Sequence, residues 1–272
     1  MMSPVANWRT PVRGVLHRLG LLDAAYRARD AWRSLAYLGR PAPPGPDGLP
    51  LPTPDLITLV AGTPDVSWFL WAGDRAAGSI RSVLADNGVE IASLRAMLDF
   101  GCGCGRVVRH WKNLPARIEG SDVNRRLVRW CRRHLPFARF GVNGPRPPLP
   151  YAEGSFDLAY ALSVFTHLPE GLQRPWMDEL RRVIAPGGHL VFSVHGDRYR
   201  EDLSGAERAR FDAGQLVVRG GESVGRNACA AYHPRDYVRS VLAEGFTLLE
   251  HRAEGAWGNP HQDLVLLRKE RP

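Results

Sequence analysis

The chain has 272 residues, enough for one ordinary α/β domain with embellishments and an ample core. Its formal net charge is +8, yet only Lys112 and Lys269 among 36 basic residues are lysine, so the charge reads as the arginine bias of a GC-rich coding sequence more than as a nucleic-acid-binding surface. No apolar run reaches membrane-spanning length, no secretory h-region is present, and Cys102, Cys104, Cys131 and Cys229 lack the spacing of a disulfide framework, so a cytoplasmic protein is expected.

Residues 1–54 differ in character from the rest. Residues 11–39 read as one or two amphipathic helices, with Val15, Leu16, Leu19, Leu22, Tyr26, Trp32, Leu35 and Leu38 apolar among arginines. Such a segment packs on the core as a lid or joins two copies as a homodimer; being basic, it also suits weak contact with an anionic membrane surface. The proline-rich tract 41–48 reads as a linker, and residues 55–272 as the main domain. Thr63-Pro64-Asp65 reads as a helix cap with proline at the first helical position. The helix passes through Trp68, Phe69, Leu70 and Trp71 to Val83 and Leu84, ending near Asn87-Gly88. Trp68 and Trp71 either border a cleft or pack against a sheet.

Leu98-Asp99-Phe100-Gly101-Cys102-Gly103-Cys104-Gly105-Arg106 reads as a buried strand, an acid, a glycine-rich turn and the start of a helix over 106–112. The glycines let the backbone turn sharply and approach a ligand, to which the helix offers its positive N-terminus. A dinucleotide site wants G-x-G-x-x-G, with its third glycine where Arg106 stands. Asp99, two residues before the first glycine, suits a ligand carrying an ammonium and a sulfonium better than a pyrophosphate. Cys102 and Cys104 are too close together for an ordinary zinc knuckle and serve as small residues in a tight loop.

Residues 117–122 read as a second strand ending in Asp122, placed to accept both hydroxyls of a ribose. A helix over 124–135, a strand over 139–142 and a proline-rich connection from Asn143 to Leu149 follow. Residues 154–168 are a buried strand running into a turn. Residues 176–184 form an amphipathic helix with Trp176, Leu180, Val183 and Ile184 on its apolar side, and 189–194 are the next strand.

The series D-F-G-C-G-C-G, S-D-V-N, L-P-Y-x3-S-F-D and L-R-R-V-I-A-P-G-G-H-L-V-F resembles, in order, the motifs of class I S-adenosylmethionine-dependent methyltransferases. The resemblance is close over residues 95–194 and loose elsewhere. It implies a doubly wound, mostly parallel seven-stranded α/β sheet with a reversed last strand, S-adenosyl-L-methionine as cofactor, and methyl transfer as the activity. It further implies that Asp99, Gly101, Cys102 and Gly103 line the methionine and sulfonium end. Asp122 would hold the ribose, with Val123 against the adenine face. Asn143 would bond the adenine amino group, although extra prolines follow it here. Leu162 and Ser163 would close the pocket through backbone atoms.

About fifty residues separate the fifth strand from the next, over 246–251, more than a helical crossover needs. The insertion, about 196–233, reads as a substrate cap: helical over 205–211, with 215–219 and 228–232 pairing as a β-ribbon. A crossover helix over 234–243 and a last strand over 263–267 complete the chain. Methyl transfer needs alignment and exclusion of water, and an alcohol acceptor also needs a base. His167, after the fourth strand, is the first choice; His195 and His233 are further candidates, with His261 behind them. His195, His233 and Asp263 are an alternative divalent-ion site that their spacing does not demand, and no metal is expected. Leu162-Ser163-Val164-Phe165 lacks the Asn/Asp-Pro-Pro-Tyr/Phe turn of base-amino methyltransferases, and no Pro-Cys nucleophile is present. The leading expectation is O-methylation of a sugar, glycoconjugate or secondary metabolite. The alternative is an RNA or protein methyltransferase using Arg125, Arg126, Arg129, Arg132 and Arg133, although a solvated helix face explains those arginines better.

Overall fold

The computed structural model describes residues 43–221 and 229–271. The helices expected over 11–39, the start of the linker and residue 228 of the expected ribbon lie outside the described residues. Pro44–Pro272 is one compact unit.

Strand β1 (Ala96–Phe100) is buried along its whole length between β2 (Arg117–Asp122) and β4 (Phe156–Ala161), parallel to both. A central parallel strand covered on both faces has no solvent side, which is why its sequence is apolar without alternation until Asp99. On the outer flanks, β3 (Arg139–Val142) pairs with β2, and β5 (Ile184–His195) pairs with β4. A ribbon of β6 (Val217–Arg219) and β7 (Ala230–Tyr232) touches the end of β5 through the pair His195–Tyr232. Then β8 (Phe246–Arg252) and β9 (Gln262–Lys269) form a hairpin whose second strand lies antiparallel against β5. The main sheet thus runs β3-β2-β1-β4-β5-β9-β8, with β9 reversed, as the resemblance implies.

Helices α1 (Pro54–Ala61), α2 (Val66–Asp86) and α3 (Arg125–His134) contribute Ile57, Ile80 and Leu127 to the core on one face. Helix α4 (Glu170–Val183) contributes Trp176 and Leu180 to the other, against Phe100 and Phe192. The cap carries α5 (Gly205–Asp212) and a core of its own around Leu203, Phe211, Val217 and Tyr232. The crossover α6 (Arg235–Tyr237) continues as a π turn over Val238–Leu242.

Four local expectations need correction. Asp65, not Thr63, caps α2, accepting from the amides of Ser67 and Trp68, so Pro64 precedes the cap instead of opening the helix. No helix spans 106–112; a 3-10 turn over Val108–Trp111 stands there. Val107, Val108, Arg109 and Trp111 are all buried, so this segment threads the core and has no solvent face for an amphipathic helix to present. Helix α4 starts at Glu170, ahead of Pro175, because the buried Gln173 side chain donates to the carbonyls of Phe165 and Leu168 and fastens its first turn. Part of the tract read as a linker is also packed: Asp47 takes a two-pronged bond from the buried Arg109, at 2.6 and 2.9 Å.

Candidate active site

The carboxyl ends of β1 to β4 lie side by side, and the residues singled out for cofactor binding gather there. The amides of Gly101 and Cys102 donate to the carbonyl of Ser121 at 2.8 and 3.0 Å, pinning the glycine-rich loop to β2. Gly101, Gly103 and Gly105 have φ of +84°, +56° and +80°, a backbone that side chains disfavour. A Cβ at Gly103 would also stand 2.8 Å from Val60 of α1. Asp122 locks the loop from below: one oxygen accepts from the Gly103 amide at 2.9 Å, the other from the Asn124 amide at 2.7 Å. Each oxygen keeps a further lone pair for a ribose hydroxyl.

Two buried acceptors at this edge find no hydrogen-bond partner among the described residues, Asp99 Oδ2 and Asn143 Oδ1. Burial pushes the Asp99 carboxyl up to about 7, against a hydrogen bond from the Tyr160 hydroxyl that favours the ionised form. Such an acid is completed by a cation. The Asn143 amide donates to Gly144 O at 2.8 Å, so its oxygen is left for an outside amino group. Val123 is an apolar side chain left 41% exposed beside Asp122. An ammonium or sulfonium, a ribose, an adenine face and an adenine amino group would each find a complementary group here, so the residues present fit S-adenosylmethionine.

Ser163 holds φ at +56°, a non-glycine residue in the left-handed region, which costs about 1–3 kcal/mol. A hydrogen-bonded ring with side chains of β5 and β9 holds it there. Its amide donates to Ser193 Oγ at 2.8 Å, Ser193 Oγ donates to Gln262 Oε1 at 2.7 Å, and Gln262 Nε2 returns to Ser163 Oγ at 2.8 Å.

Among the histidines, the structure brings His167 and His195 together, their rings 6.5 Å apart and edge to face. Their Nδ1 atoms face two carbonyls of one strand segment, Cys229 O at 2.7 Å and Ala231 O at 3.1 Å. A carbonyl only accepts, so both Nδ1 atoms carry the proton and both Nε2 atoms present a bare lone pair. Burial lowers both pKa values, that of His195 to about 4 with help from neighbouring His167. Both rings are therefore neutral at pH 7. Tyr199 and Tyr232 flank His195 at 4.4 and 5.4 Å between ring centres.

His233 does not join them. It is fully enclosed, and since the Gln173 amide nitrogen is spent on two carbonyls, His233 Nε2 donates to Gln173 Oε1. His261 is half-exposed and paired with Glu254. Asp263 spends its oxygens on His251 Nε2 and the Glu254 amide, so the metal trio of His195, His233 and Asp263 is not assembled. Among the described residues no cluster of three His, Cys, Asp or Glu side chains is arranged to hold a metal ion. Trp71 is 58% exposed, and Phe69 takes the core position on α2.

Two residues at this edge escaped sequence reasoning. Arg106 was visible as the residue after the third glycine, but its buried guanidinium reaches Asn259, which lies 153 residues later. Asn259 carried only a turn signal, in Gly258-Asn259-Pro260.

Comparison with known proteins sets the chain among methyltransferases. Residues 98–192 match a family model described as a methyltransferase domain. The chain is 31% identical over 194 residues to a malonyl-[acyl-carrier protein] O-methyltransferase of Geobacter sulfurreducens, covering 70% of this chain and 68% of that protein. It is 29% identical over 192 residues to a sterol 24-C-methyltransferase of Gibberella zeae, covering 65% of this chain and 46% of that one. Among solved structures, an N1-methyltransferase of Burkholderia thailandensis with bound 1,6-didemethyltoxoflavin and S-adenosylhomocysteine superposes with a TM-score of 0.53 at 18% identity. That match covers 78% of this chain and 84% of the other. A S-adenosylmethionine-dependent methyltransferase from Methanosarcina mazei gives 0.52 at 18% identity, covering 70% and 98%. At this identity the structural matches speak for the fold.

Proposed function

The chain belongs to the class I S-adenosylmethionine-dependent methyltransferases, and on that premise we propose that it methylates an oxygen of a small molecule, with His167 as the general base. S-adenosylmethionine, when bound, supplies a methyl group already activated on a positive sulfur. The protein's share is to align the acceptor, exclude water and accept the acceptor's proton.

The observation that carries the acceptor side is the pair of neutral imidazoles with bare Nε2 atoms at the edge where β4 and β5 end. His167 is the better matched base of the two. Burial lowers the pKa of both and a carbonyl bond at Nδ1 opposes that in both, but at His195 the neighbouring His167 adds to the lowering, which reaches about 4. A general base works best with a pKa near the working pH. His195 then holds the acceptor as a hydrogen-bond acceptor, with Tyr199 and Tyr232 as apolar walls. A cap with its own small core beside that edge suits an enclosed acceptor such as a sugar, a glycoconjugate or a secondary metabolite. The relatives named as malonyl-[acyl-carrier protein] O-methyltransferases support oxygen as the receiving atom.

The test is incubation with methyl-labelled S-adenosylmethionine and a size-fractionated extract of the source cells. Label in small molecules or glycans, on oxygen, supports the proposal. Label confined to RNA or protein refutes it and turns attention to the exposed arginines 125, 129 and 133 of α3.

A further inference from the structure

Arg106 is 7% exposed, yet the oxygens it bonds are neutral: Gly258 O at 3.3 Å and Asn259 Oδ1 at 2.6 Å. A buried guanidinium is ordinarily paired with an anion, because the desolvation cost of the charge is otherwise uncompensated. Asp99 attracts it but is not within ion-pair distance. Asn259 is 6% exposed. Its oxygen faces Arg106 and, at 3.5 Å, the Ser163 hydroxyl, which fixes the orientation of the amide. The Nδ2 group at the other end is buried with no acceptor among the described residues. A positive guanidinium and an orphaned N–H donor thus stand together between the glycine-rich loop and Ser163.

We propose that Arg106 and Asn259 form the subsite for the carboxylate of the cofactor's amino-acid end. This rests on the reading of the chain as an S-adenosylmethionine enzyme and adds residues that its motifs do not name. The charge pattern is that of a zwitterion receptor. Asp99, with one oxygen unpartnered, faces the ammonium, while Arg106 and the Asn259 amide face the carboxylate. The subsite also ties two distant segments to one ligand, since Asn259 lies in the turn between β8 and β9 and Gln262 of the Ser163 ring follows three residues later.

The experiment is calorimetric titration of wild type, Asn259→Asp and Arg106→Gln with two probes. S-adenosylhomocysteine carries the amino-acid end; 5′-methylthioadenosine keeps the nucleoside and thioether but lacks it. Loss of a charge-assisted hydrogen bond is expected to weaken S-adenosylhomocysteine binding by about tenfold to a hundredfold in either variant. Binding of 5′-methylthioadenosine is expected to change less than twofold. Asn259→Asp is isosteric and gives Arg106 a carboxylate partner, so it keeps the fold while repelling the ligand's own carboxylate. Unchanged S-adenosylhomocysteine affinity, or equal weakening of both probes, would overturn the subsite. Failure of wild type to bind S-adenosylhomocysteine would instead overturn the cofactor reading beneath it.

Discussion

Replacing His167 by glutamine tests the proposed chemistry most directly. Glutamine keeps a polar side chain of similar reach but cannot take a proton at neutral pH. General-base assistance is worth about 10² to 10⁴ in rate, equivalent to about 3–5 kcal/mol of barrier. Turnover of an alcohol acceptor is expected to fall by that factor, with S-adenosylhomocysteine affinity unchanged, since no part of the cofactor site rests on His167. The acid limb of the wild-type kcat/KM profile for the acceptor, taken at saturating S-adenosylmethionine so that the titration of Asp99 does not enter, supplies a second readout. Burial lowers the His167 pKa from 6.5, so the neutral form persists below that value and activity declines only as pH falls further. His195 resists protonation more strongly: a pKa of about 4 against 6.5 makes charging that ring cost about 3 kcal/mol. The assay is initial-rate transfer of labelled methyl across pH 4.5–8 for wild type and His167→Gln. Activity of the variant within threefold of wild type, or a wild-type acid limb at or above pH 6.5, would refute the assignment.

Further outcomes follow from other parts of the structure. Nitrogen-15 NMR is expected to find the proton of both His167 and His195 on Nδ1 at pH 7, because both face carbonyl oxygens; an Nε2–H tautomer at His167 would remove the base. With Asp99 at about 7 in the free protein, a cationic ligand must bind the ionised form, so affinity rises with pH towards 8. Titration with S-adenosylhomocysteine is expected to show about tenfold weaker binding at pH 6 than at pH 8, with proton release at the lower pH. Asp47→Ala leaves the guanidinium of Arg109 buried without its carboxylate, a loss of about 3 kcal/mol. Thermal unfolding is expected about 6–12 °C lower, and an unchanged midpoint would show that residues 44–50 are only a tether. Gly105→Ala forces a Cβ to within 2.4 Å of Leu135 at a φ of +80°; lowered thermal stability is expected, and a neutral effect would mean that the loop readily moves.

The buried strands and the glycine-rich loop were legible because they rest on local rules, whereas the sheet topology was implied only by the family resemblance. Parallel strands buried on both faces announce themselves as apolar runs, as 96–100 and 156–161 do. Acids at strand ends and glycines at forced turns mark Asp99, Asp122 and the loop between 101 and 105. The segment 106–112 misled because local pattern cannot report that its neighbours bury Val107, Val108, Arg109 and Trp111 together. The histidines show the same limit. His167, His195 and His233 look alike in sequence, each at or beyond the end of a strand. The sequence by itself thus placed the individual strands and the glycine-rich loop, which are set by periodicity and spacing within short windows, and its ordered motifs carried the resemblance that implied the family and the reversed last strand. Only the tertiary structure decided which imidazoles expose Nε2, that His233 is locked to Gln173, and that Arg106 meets Asn259. Those outcomes depend on contacts between residues far apart in the chain, whose burial and hydrogen-bond partners exist only once the sheet has closed around them.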